Sequence, residues 1–405
     1  RKCNICYLNK KGMKNMMTTN KNHDMRQIGN NPSIIEVESN SDLDEEFKKY
    51  ADNFSKAADL TIRHMIESGN NGILDTWYYP LVYLYRQSLE LILKACILKK
   101  ITSKTDRQNT FKKISHDLGL CIDEIYNLYN LSPNDSKNAM WLDAFIKDIS
   151  KVDNKSDLFR YPFNTEGKTV SNDQKNISLK ALYTNMNRAF EEVSNIYNNG
   201  FLSGKTFPNE NPKLIIEDNS QLSSNVGWRF ENGSYEPYLL SYEESGAFLM
   251  KEARSNQNLF LPACYMYRNS IELLLKRIIK EDSYLSPEKK DKIIHKKKHS
   301  IEGLWNSVET CMQDGGMNVD ANDLNNFRIL ATSLHKYDQG SSKFRYPCDK
   351  DADLFFGKKE VLDINNVEDV FTDFTSTLNG IHQILDEKKT KKNSHNSNKG
   401  LKLTP

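Results

Sequence analysis

Long apolar runs are missing from this sequence of 405 residues. A membrane-spanning helix needs roughly 18–20 consecutive apolar residues. The most apolar stretch, Leu89–Leu98, is interrupted by Glu90 and Lys94, so no contact with a membrane is expected. The first residues lack the apolar core of a secretory signal, and Met13, Met16 and Met17 leave the start codon unplaced. Seven cysteines form an odd set. Most lie scattered in apolar surroundings, which predicts buried, reduced thiols in a cytoplasmic protein rather than a disulfide framework. There is no Gly-rich phosphate loop, no Gly-x-Ser-x-Gly and no His-Glu-x-x-His. Cys3-x2-Cys6 has only His23 nearby, whereas a closed zinc site needs four ligands; neither a metal nor a cofactor is expected. Alternating β-type patterns are almost absent, which predicts an all-α fold.

Charge is plentiful but uneven. Lys and Arg number 56 against 54 Asp and Glu, a net of +2. Residues 1–33 carry +6 and residues 388–405 another +6, which leaves −10 on residues 34–387. Both ends combine low apolar content with one-sided charge, the composition of disorder. Residues 199–235 hold four glycines and two prolines among polar residues and read as a linker, with a short strand at Leu214–Ile216. A broad polyanion-binding surface on the acidic body is not expected. Phosphate contact should be local.

The two remaining blocks, 34–198 and 236–387, match each other. Pro80–Lys94 reads PLVYLYRQSLELILK and Pro262–Lys276 reads PACYMYRNSIELLLK, identical at nine of fifteen positions. His116-Asp-Leu matches His299-Ser-Ile, and Asp153–Pro162 matches Asp338–Pro347, in the same order and with slowly growing offsets. This pattern predicts an internal duplication with small loop insertions. Each copy reads as a bundle of about five helices: 43–67, 78–100, 108–130, 135–152 and 176–198, then 237–256, 260–281, 297–313, 321–337 and 362–387. Pro80 and Pro262 sit in a first turn, where a missing N–H costs nothing, and Asp75 or Thr76 is expected to cap the second helix.

Three groups of residues persist in both blocks. Arg86, Glu90 and Lys94, with Arg268, Glu272 and Lys276, share one helix face at a spacing of four. They form either a solvated ion-pair ladder or, since Arg and Lys are not interchangeable, a ligand contact. Ser156, Phe159, Arg160, Tyr161 and Pro162 recur as Ser341, Phe344, Arg345, Tyr346 and Pro347. The proline ends the preceding helix, and the aromatic residues anchor a turn that holds Arg160 and Arg345. These can pair with Glu90 or Glu272, or meet an anion such as phosphate. His116 and His299 each open an amphipathic helix, as a capping or packing residue or as a proton-transfer group. The lysine-rich run 289–299 reads as a basic connector that could steer phosphate.

Together, YRQSLELILK and YRNSIELLLK, the following His-x-Leu/Ile helix starts and the Arg-Tyr-Pro turns resemble the HEPN superfamily (higher-eukaryote and prokaryote nucleotide-binding domains). The likeness covers residues 43–198 and 237–387. It implies compact helical bundles that dimerise, here as a pseudo-dimer within one chain. It also implies RNA or nucleotide binding in a phage-defence or toxin–antitoxin setting, with a non-catalytic protein-interaction scaffold as one alternative. Many members are metal-independent ribonucleases with an Arg-x(4–6)-His signature. Arg328-x6-His335 fits that signature, with Tyr337 following. Ile329 departs from the polar residue often found after the Arg, and the first copy has Asp143 and Ser150 at the matching positions.

Overall fold

The computed structural model describes residues 24–39, 41–163, 175–204, 211–218, 225–228 and 234–400. The fold is mostly helical. It divides into two compact units, neither a continuous stretch of chain: a larger one of Glu36–Asn269 with Ser342–Glu360, and a smaller one of Ser270–Ser341 with the segments up to Ile35 and from Val361. Glu236–Asn269 and Ser342–Glu360, expected with the second bundle, thus belong with the first. Aromatic packing explains this. Tyr238 packs tilted against Tyr79, ring centroids 4.1 Å apart, and Tyr265 stacks on Tyr83 at 4.8 Å.

The larger unit is built around α3 (Tyr78–Lys100), whose residues 78–98 are all buried. A helix buried on every side belongs at the centre of a core. Around it pack α1 (Leu43–Ser68), α5 (Leu118–Tyr129), α7 (Leu179–Asn199) and α8 (Glu236–Ala253), with α2 (Asn71–Thr76), α4 (Lys104–Ile114) and α6 (Lys137–Val152) on the periphery. The single helix expected over 108–130 is two helices, α4 and α5. The chain turns at Ser115, whose φ is 47°, and Asp117 caps α5 by accepting from Leu120 N at 3.2 Å. Asp75 does not cap α3; its Oδ1 accepts from Gly227 N at 2.8 Å. Strand β1 (Lys175–Ser178) pairs antiparallel with β2 (Asn225–Trp228), Ile177 opposite Val226. The linker's strand therefore lies at Asn225–Trp228 and not at Leu214–Ile216. Leu214 is buried instead, its N–H donating to Asp148 at 2.9 Å.

Helix α9 (Phe260–Arg277) passes from the larger unit into the smaller after Asn269, and a π-turn follows at Ile278–Asp282. The smaller unit then holds α10 (Pro287–Lys297), α11 (Ile301–Asp314), α12 (Ala321–Tyr337) and α13 (Ile364–Gly400). Its core centres on Trp305, edge-on to Phe327 and Phe374. Most of the lysine-rich run 289–299, read as a connector, lies in α10. The N-terminal segment 24–33 is fastened rather than loose: Gly29 N and Ser33 N donate to the Asp363 carboxylate at 3.0 and 2.9 Å. The Lys-rich tail begins inside α13, where Lys388 and Lys389 donate to the carbonyls of Gly316 and Glu281. Among the described residues no helix is long and apolar enough to cross a membrane, and the five cysteines there are buried thiols outside any disulfide. Cys3, Cys6 and His23 lie outside the described residues.

Candidate functional site

The spacing of four places Arg86, Glu90 and Lys94 on one face of α3, and that face is inside the protein. Arg86 and Glu90 have no exposed surface, and Lys94 keeps 6%. The solvated-ladder reading is therefore overturned: α3 is covered on all sides, so its charges must neutralise one another. Glu90 Oε2 accepts from Arg86 at 2.8 Å, while Oε1 accepts from Lys94 Nζ at 2.7 Å and from the Tyr346 hydroxyl at 2.7 Å. His116 Nδ1 lies 2.9 Å from the same Oε1. Arg86 also donates to the carbonyls of His116 (2.6 Å) and Asp153 (3.1 Å). Four side chains from three separate parts of the larger unit meet on one carboxylate.

The electrostatics follow from this geometry. Burial works against the charge on Glu90, yet Lys94, His116 and Arg86 together hold its carboxyl well below the usual range. For His116, Glu90 favours the cation, but burial and the charges of Lys94 and Arg345 outweigh it, and its pKa lies below the ordinary value. The imidazole is neutral at neutral pH, with Nδ1–H directed at Glu90 and Nε2 left as the acceptor. Burial, then Glu90, raise the Tyr346 phenol, so it keeps its proton and donates. His116 does not cap its helix; Asp117 does, one residue later.

In the smaller unit Glu272 repeats this arrangement. It accepts from Lys276 Nζ at 2.6 Å, and His299 Nδ1 lies 2.9 Å from its Oε1. Each histidine side chain is 36% exposed and each glutamate wholly buried. Ser300 caps α11 as Asp117 caps α5. Arg268, on the part of α9 in the larger unit, is also fully buried.

Arg160 and Arg345 come together in the larger unit over the stacked rings of Tyr83 and Tyr265. Arg160 Cζ lies 5.7 Å from the Tyr83 centroid and 5.1 Å from that of Tyr161; Arg345 Cζ lies 5.4 Å from Tyr265 and 5.2 Å from Tyr346. Arg160 does not pair with Glu90. It donates from Nε to the Ser156 carbonyl and from Nη2 to Asp157 at 3.0 Å. Gln87 and Asn269 bind the backbone carbonyls of Arg345 and Arg160 in turn.

Arg328 and His335 lie seven residues apart on α12, about 10 Å along its axis. Arg328 is half exposed and grips Glu309 with two donors, while His335 Nε2 lies 3.7 Å from Glu302. Both side chains thus face carboxylates of α11. The matching residues of the first block serve its own fold: Ser150 donates to Asp117 at 2.6 Å, and Asp143 pairs with Lys147 at 2.8 Å. Among the described residues no group of three or more His, Cys, Asp or Glu is placed to hold a metal ion.

Three contributors went unremarked in the sequence: Asp153, the pair Gln87 and Asn269, and the pair Tyr83 and Tyr265. All fall within the matched segments, so comparing the blocks position by position would have found them. The pairing of His382 Nδ1 with buried Asp282 at 2.8 Å had no such signal. No protein-family model, no curated protein and no solved structure matches the chain.

Proposed function

We propose that this chain is a HEPN-like protein, formed by duplication of one helical bundle, that binds RNA through phosphate contacts in a phage-defence or toxin–antitoxin setting. The duplication is supported by paired geometry. The two Glu–His contacts have the same length, the two Glu–Lys contacts differ by 0.1 Å, and the residues before the histidines, Ser115 and Lys298, both adopt positive φ, 47° and 50°. Arg86, Lys94 and Lys276 are buried against glutamates and Arg268 is wholly buried, so these matched residues offer no surface to a polyanion.

The observation that carries the RNA reading is α10. None of its side chains is buried, and Lys289, Lys292, Lys296 and the following Lys298 are exposed. Positive charge is crowded there: burial, then Lys389 and Lys280, push the Lys290 ammonium below its ordinary value. Lysines on such a helix bind by displacing the counterions condensed on a nucleic acid's phosphates. The test is the affinity for a single-stranded RNA oligonucleotide, measured by fluorescence anisotropy over a salt series. The combined change Lys289→Gln, Lys292→Gln and Lys296→Gln should flatten the salt slope by about 2, at roughly 0.7 per phosphate contact. Affinity indifferent to salt, or binding of mononucleotides alone, would remove this reading. The absence of RNA affinity would leave the scaffold alternative. The ribonuclease alternative rests on Arg328 and His335, and cleavage unaffected by His335→Ala would end it.

A further inference from the structure

His116 turns one ring nitrogen inward and the other toward solvent. Nδ1 lies 2.9 Å from Glu90 Oε1. That oxygen also accepts from Lys94 and Tyr346, and a carboxylate has no proton to give, so the proton of this contact sits on Nδ1. Nε2 is then the lone-pair nitrogen of the ring. Nε2 makes no hydrogen bond among the described residues, and it is not buried; the side chain is 36% exposed. The imidazole is thus fixed in one tautomer with its nucleophilic atom outward.

Glu90 cannot follow the ring to the surface. It is wholly buried and tied to Arg86, Lys94 and Tyr346. A carboxylate held behind an imidazole sets the ring's direction and raises the basicity of the outer nitrogen. It also meets the positive charge that the ring gains when Nε2 forms a bond, as in catalytic carboxylate–histidine pairs. The cations nearby select what Nε2 would carry. Lys94 and Arg345 both oppose a proton on this ring, and charges that oppose a proton favour an anionic group in its place.

We propose that His116 Nε2 is a phosphoryl acceptor, a phosphohistidine site whose donor is an acyl phosphate. The Nε2 lone pair attacks phosphorus. The N–P bond forms as the P–O bond to the acyl oxygen breaks, and its electron pair leaves on a carboxylate. The Nδ1 proton stays between the ring and Glu90, and nothing is oxidised or reduced. The site lies in the larger unit, apart from α10, and does not depend on RNA binding.

The test treats the full chain with potassium phosphoramidate, in which the same attack expels ammonia instead of a carboxylate. Peptide mass spectrometry at neutral pH follows the phosphoryl mass on each histidine, and phosphorus-31 NMR identifies the ring isomer. His295 is the internal reference, an imidazole exposed on α10 among lysines with no carboxylate contact among the described residues. His116 should be labelled about tenfold faster than His295, the lower bound of what a carboxylate behind an imidazole contributes, and it should be labelled on Nε2. Acetyl phosphate, the simplest acyl-phosphate donor, should give the same product. Glu90→Gln should remove the advantage over His295. Should that variant fail to fold, the comparison of the two histidines in the unaltered chain still decides. Labelling of His116 no faster than His295, labelling on Nδ1, no product from acetyl phosphate, or an unchanged rate in a folded Glu90→Gln variant would each overturn the proposal.

Discussion

His116 Nδ1 and Glu90 Oε1 lie 2.9 Å apart, one partly exposed and the other fully buried. The contact makes a surface-reaching imidazole part of an internal ion network, and its protonation is coupled to the stability of the larger unit.

The pH dependence has a definite sign. His116 in the folded chain has a pKa below the ordinary value of about 6.5. Between the native pKa and about 6.5 the unfolded chain binds the extra proton, so stability rises with pH across that window and falls as pH drops through the native value. Glu90, held well below the carboxylate range, adds a loss of the same direction in stronger acid. Urea unfolding of the wild type and His116→Gln between pH 5 and 8 should show a flatter curve for the variant. Nitrogen-15 NMR at neutral pH should place the proton on Nδ1.

Glu90→Gln keeps shape but removes the counter-charge for Arg86 and Lys94, both buried. Breaking a buried charge network by removing one partner costs about 3–5 kcal/mol. Denaturant unfolding should show a loss of that size. A change below about 1 kcal/mol would mean that water reaches the network.

Gly246 marks a close approach in the larger unit. A Cβ there would lie 3.1 Å from Tyr267 Cδ2 and 3.2 Å from Met266 Cβ. Gly246→Ala should therefore cost about 1–3 kcal/mol through overpacking, although alanine normally favours a helix. An increase in melting temperature would show that α8 can shift away.

Arg328 holds Glu309 at the surface. Arg328→Ala should leave the melting temperature essentially unmoved, as expected for exposed ion pairs. Any loss of RNA cleavage or binding in that variant can then be read as local chemistry rather than unfolding, with thermal scans as the control.

The sequence revealed helices and partners to different degrees. α3 was legible because its apolar positions recur with helical spacing, and Arg86, Glu90 and Lys94 were singled out by their repetition at Arg268, Glu272 and Lys276. Their burial was not legible: charges spaced by four look the same on a solvated face as on an enclosed one, and only the packing of α1, α5, α7 and α8 around α3 decides between them. The turn at Ser115 escaped notice because serine rarely takes positive φ, so nothing local announced a break between α4 and α5. Helix α10 was hidden by its polarity; without a buried stripe it has no apolar period to read. Tyr346 could be placed in a rigid turn from its proline, but its hydroxyl's partner lies 256 residues away.

The chain leaves and re-enters the larger unit, which holds Glu36–Asn269 and also Ser342–Glu360. During synthesis, then, the larger unit cannot close when its first helices emerge. Tyr346 and Arg345 reach Glu90, Gln87 and Tyr265 only after the intervening residues of the smaller unit have been made. Until Glu360 has left the ribosome, the charges of α3 lack their last partners, and a chain stopped earlier exposes an unfinished ionic core to the cell's proteases.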